Sequence, residues 1–188
     1  AEVAAWRAEA VAPHAREVVE ALGWPEADAQ EAALDALGRI ASRAPAEAAL
    51  ALPLIAELMD HARRPALREE AARCLGRIGV ELPDTARMAA AKLAAHLPQV
   101  KNLRAAQEAR EVLAAIEALL PHIPPAERAQ MAPKVAPLRA HPNIQVRERA
   151  GRDVVAGDLL GGHVVGGAAP RSGGRQLGVV DLPPQLGD

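Results

Sequence analysis

The chain reads as an all-α protein, a solenoid of about four two-helix repeats. Three observations predict it: an alanine-rich composition almost without aromatics, a segment that recurs at an offset of 38 residues, and prolines that punctuate the chain at helix starts. Alanine makes up about a quarter of the 188 residues, Phe and Tyr are absent, and Trp6 and Trp24 are the only aromatics. The core must therefore come from Ala, Leu, Val and Ile. That suits closely packed helices, because Ala has the best helix propensity and a minimal side chain.

The recurrence is clearest where Leu37-Gly38-Arg39-Ile40 is answered by Leu75-Gly76-Arg77-Ile78, and the same offset of 38 reaches Leu113 and Ile116. Upstream, Ala33, Ala71 and Ala109 fall in one column and Ala36, Cys74 and Val112 in the next. Within one copy, Leu67, Ala71, Cys74, Leu75 and Ile78 lie on one face of a helix, with Arg68, Glu69, Arg73 and Arg77 on the other. The stretch before it carries Leu50, Leu54, Ile55, Leu58 and Met59 at helical spacing, so each repeat is a pair of antiparallel helices.

The helices are placed near 3–22 and 25–43, 45–61 and 65–79, 83–97 and 101–120, and 125–140 and 142–156. Pro25, Pro45, Pro65, Pro83, Pro125 and Pro142 fit the first turn of a helix, where a missing N–H costs nothing. Pro53 and Pro133 lie eight residues inside their helices and are expected to kink them, as is Pro13 in the first. The fourth copy is slipped by about three residues: Val146-Arg147 and Ala150 match Leu67-Arg68 and Ala71 only with an insertion. From Gly151 onward stand ten of the fourteen glycines, without helical periodicity. The solenoid is thus assigned to 1–156 and a disordered Gly/Pro-rich tail to 157–188.

These residues resemble the HEAT repeats in their short bacterial-type form. The likeness rests on Pro53-Leu54-Ile55-Ala56-Glu57-Leu58-Met59-Asp60, then Leu67-Arg68-Glu69-Glu70-Ala71-Ala72 and Leu75-Gly76-Arg77-Ile78-Gly79, and it covers 3 to about 156. It implies a right-handed α-solenoid whose second helices line a concave face. It also implies a ladder between repeats from a turn Asp to an Arg early in the second helix. Asp60 and Arg68 fit that ladder, with Asp28 as a further member, while Gln30 and Ala106 stand where the Arg would recur.

Catalytic chemistry finds few reagents. Ser42, Thr85 and Ser172 are the only hydroxyls, and Cys74 sits on an apolar stripe as a core residue. The lone cysteine excludes an intramolecular disulfide and a Cys-based zinc site, and it fits an intracellular, cytoplasmic location. His14, His61, His96, His122, His141 and His163 show neither His-x3-His spacing nor the His-Glu pairs of HEAT-like di-iron enzymes; His61 and His141 read as turn or surface residues. Gly161 to Gly167 lacks the Lys-Ser or Lys-Thr ending of a phosphate-binding loop. No metal or cofactor is expected.

With 22 basic and 24 acidic residues, no overall field draws nucleic acid or an anionic membrane, and no apolar run is long enough to span a bilayer. The expected activity is non-enzymatic binding of a protein or peptide. The candidate surface is the set of polar columns on the second helices: Asp35, Arg73 and Glu111 alternate in sign, Arg39 and Arg77 extend the basic character, and Glu31, Glu69 and Gln107 form a neighbouring row. Such a row either satisfies itself as surface ion pairs or forms a mixed-charge groove for a helix or extended peptide. The resemblance implies two alternatives. One is tubulin binding through the turns, which hold Trp24-Pro25, Arg63-Arg64, Lys101-Asn102 and Arg139 near His141. The other is a HEAT-like enzyme, a chromophore lyase or a base-excision enzyme, for which Trp24 and Asp28 are the nearest candidates.

Overall fold

Residues 14–152 are described by a computed structural model. They are all-α, and no strand occurs among them. Nine α-helices follow in order: α1 (Ala15–Ala21), α2 (Ala27–Ile40), α3 (Pro45–Ala49), α4 (Leu52–His61), α5 (Pro65–Glu81), α6 (Pro83–His96), α7 (Ala106–Leu119), α8 (Pro125–Val135) and α9 (Ile144–Gly151). Short 3-10 turns extend α6 over Leu97–Val100, precede α7 over Leu103–Ala105 and follow it over Leu120–His122, and continue α8 over Ala136–Ala140. The expected kink at Pro13 and the tail after 157 lie outside the described residues.

Packing makes α5 the centre: α2 and α7 flank it, α4 and α6 lie beneath it, and α9 packs on the far side of α7. The columns seen in the sequence are its core. Ala33, Leu37, Ile40, Ala71, Cys74, Leu75, Ile78, Ala109, Val112, Leu113 and Ile116 are all buried, and each large one contributes about 1.5–3 kcal/mol. Ala36, in the same column as Cys74 and Val112, is half-buried.

Four prolines (Pro45, Pro65, Pro83 and Pro125) open their helices. Pro25 and Pro142 do not. They precede the capping residues Glu26 and Asn143, and the Asn143 side chain accepts the amides of Gln145 and Val146. The stretch 45–61 is interrupted where Pro53 was expected to disturb it, with Leu50 and Ala51 still in the right-handed helical region and bonded to the Glu47 and Ala48 carbonyls. Pro53 has no N–H for the Ala49 carbonyl, the chain turns at Leu50 and Ala51, and Leu50 rotates out of the core while Ile55 and Met59 stay in it. Pro133, by contrast, lies inside α8, which runs on to Val135 before tightening into the 3-10 turn.

The ladder between repeats implied for Asp60, Arg68 and Asp28 does not form, because Arg68 pairs with neither aspartate. Arg68 donates from Nη1 to the Ala62 carbonyl at 2.6 Å and turns its fork to Glu108, while Asp60 pairs with Lys92 and Asp28 with Arg64 at 2.5 Å. Glu108 meets the guanidinium with both carboxylate oxygens, a bidentate pair. Gln30, at the position equivalent to Arg68, keeps only the local bond, to the Leu22 carbonyl at 2.9 Å.

No helix among the described residues is long and apolar enough to cross a membrane.

Candidate functional site

Across α2, α5 and α7 runs a groove of about 370 Å³. Its floor is made of small residues, Gly38, Gly76, Ala114, Ala115 and Ala118, and its walls carry Arg73, Arg77, Glu81 and Glu111. The glycines set its depth. A Cβ on Gly76 would stand 2.9 Å from the Ala115 Cβ and 3.1 Å from its Cα, so α5 and α7 meet there backbone to backbone. A Cβ on Gly38 would meet the Arg77 guanidinium at 2.8 Å, so that side chain lies flat across α2.

Arg73, Arg77 and Glu111, three of the eight residues singled out in the sequence, line this groove. Arg73 donates to Glu70, and its Nε stands 3.3 Å from Glu111 without alignment for a hydrogen bond. Glu111 also accepts from Gln107 at 2.7 Å. Asp35 and Arg39 pair at 2.5 Å on the rim, where Arg77 reaches Asp35 only loosely, at 3.9 Å. Much of the row therefore satisfies itself, and exposed pairs of this kind are worth about 0–1 kcal/mol each. Glu69 is set apart from the groove. Burial raises its carboxyl above the usual range, with Glu108 and Glu111 adding to the effect and Arg73 opposing it.

A second cluster was not foreseen. Glu108 on α7 accepts Arg68 Nε and Nη2 at 2.7 and 2.8 Å and meets His96 Nε2 at 2.6 Å. His96 and Glu108 are 1 % and 2 % exposed as side chains. Burial pushes the Glu108 carboxyl up, but the hydrogen bonds from His96 and Arg68 outweigh it and hold it below the usual value. A carboxylate only accepts, so the imidazole carries its hydrogen on Nε2; its Nδ1 is buried without a partner. The signal for this cluster was an acid in phase with an apolar stripe, four residues before Val112 and one before Ala109. Beside it a cleft of about 280 Å³ opens between the turns before α5 and α7.

His61 is exposed and His141 lies in a turn, as expected, but His141 is buried there, held by the Asn102 carbonyl at 3.1 Å and the Asn143 amide at 3.0 Å. Trp24, in the turn before α2, is 55 % exposed. Among the described residues no three His, Cys, Asp or Glu side chains converge as metal ligands. No known family model, curated protein or solved structure matches the chain.

Proposed function

We propose that the chain is a right-handed HEAT-like α-solenoid that acts as a non-enzymatic scaffold, binding a protein or peptide partner along the groove of its second helices. The observation that carries this reading is the groove itself, a floor of small residues between charged walls that admits a helix or an extended strand. The repeat reading is supported by register: Gly38 faces Arg77 and Gly76 faces Ala115, both 39 residues on, so the contact points of successive second helices recur at the same offset although the contacting groups differ. Arg77 is the wall cation least engaged by its own chain, half exposed and 3.9 Å from Asp35, and a partner carboxylate would take it.

Charge reversal at Arg73 and Arg77 tests the reading. Partners captured by crosslinking and identified by mass spectrometry should bind the R73E/R77E chain at least roughly tenfold more weakly, as loss of a central Arg contact does. Circular dichroism would check that the helices persist. Retention of every partner by that variant would remove the groove as the binding surface.

A further inference from the structure

We propose that the edge formed by the turns before α5, α7 and α9 is a second docking surface, and that it takes a segment of a partner protein combining acidic and aliphatic residues. Leu103 and Ile144 are 60 % and 57 % exposed. Single exposed apolar residues are ordinary, but these two occupy the same place, each directly after a capping asparagine. The Asn102 side chain accepts the Ala105 amide at 3.0 Å, and that of Asn143 accepts the Gln145 amide at 2.9 Å. Each cap fixes the start of its helix and with it the outward position of the apolar side chain.

The two turns are also fastened to each other. The Asn143 amide donates to His141 Nδ1, which leaves the hydrogen on Nε2 to donate to the Asn102 carbonyl. The imidazole is buried, so the joint between the turns is shielded from water and the pair of apolar side chains is presented rigidly. A preorganised surface loses little freedom on binding.

Charge complementarity identifies the occupant. Arg63, Lys101 and Arg104 are exposed on this edge, and none of them meets a carboxylate among the described residues. The neighbouring acids are engaged, Asp60 by Lys92 and Glu108 by Arg68 and His96. The uncompensated charge is therefore positive, and it flanks Leu103. The 280 Å³ cleft beside it, with Gln99, Asn102 and Arg104 in its wall, gives a chain in extended form somewhere to place its carbonyls and carboxylates. A recess of that kind suits a peptide better than the flat surface of a bilayer.

Fluorescence anisotropy with short labelled peptides tests this. The probes are one that alternates Glu with Leu, its Lys-for-Glu counterpart and its Ser-for-Leu counterpart. The Glu/Leu peptide should bind at least roughly tenfold more tightly than either of the others, and salt should weaken it. Both K101E/R104E and L103D/I144D, all at exposed positions, should lose that binding, while R73E/R77E should keep it. Equal binding of the Lys peptide, or retention by both edge variants, would overturn the proposal. So would co-sedimentation with phosphatidylserine vesicles that the same two variants abolish while the peptide stays unbound, which would make the edge a membrane contact.

Discussion

Replacing Glu108 by alanine is expected to destabilise the chain by about 3–4 kcal/mol, a fall of roughly 10 °C in thermal midpoint. The loss comes from what the side chain leaves behind. Arg68, only 21 % exposed, keeps a single bond to the Ala62 carbonyl, and His96 is left buried with neither ring nitrogen partnered. Glu108→Gln should cost less, because an amide oxygen still accepts from Arg68. The pH dependence follows from the depressed carboxyl. A group whose folded value lies below its ordinary one, 4.5 here, contributes fully above that value and loses its contribution as pH falls through the folded value. The gap in midpoint between the native chain and Glu108→Gln should therefore stay wide above pH 4.5 and close below it. A gap that did not change over that range would mean that the carboxylate's charge contributes nothing.

The second large effect is expected at Gly76. A valine there places its Cβ against the Cα of Ala115, and a backbone atom has no rotamer to escape into, so α5 and α7 must separate. Overpacking of this kind costs about 3 kcal/mol. Gly38→Ala is the contrasting case. Its Cβ meets the far end of Arg77, half exposed and long enough to swing aside, and the helix gains about 1 kcal/mol in propensity over glycine. The two terms nearly cancel, and the net change should stay within about 0.5 kcal/mol. Urea midpoints of Gly38→Ala, Gly76→Ala and Gly76→Val decide the matter. Equal losses at the two alanine variants would show that backbone contact at Ala115 does not set the spacing of the helices.

What the sequence made legible was periodic. A helix buries every third or fourth residue, so Leu37, Leu75 and Leu113 announced the core, and four of the six boundary prolines announced helix starts. What it hid depended on contacts between segments. Glu108 and His96 lie twelve residues apart in the chain, and nothing local says that one will close on the other. The resemblance placed Arg68 in a ladder of turn aspartates, yet the buried Glu108, forty residues on, takes both of its fork nitrogens. The groove was legible by its walls, since charged columns alternate visibly. Its floor was not, because Gly38 and Gly76 stood in the sequence only as members of the recurring Leu-Gly-Arg-Ile segment, with no sign of which helices would close on them.

Cys74, the chain's single thiol, sits in the middle of α5 with no exposed surface, and burial, reinforced by the charge of Glu70, pushes it up to about 12. While α5 stays seated, the sulfur is almost never a thiolate and no reagent can reach it. Labelling must wait for the central helix to leave α2 and α7, so the labelling half-time measures how often the helical core opens at its middle. The chain carries its own clock for that event, and no probe need be added to read it.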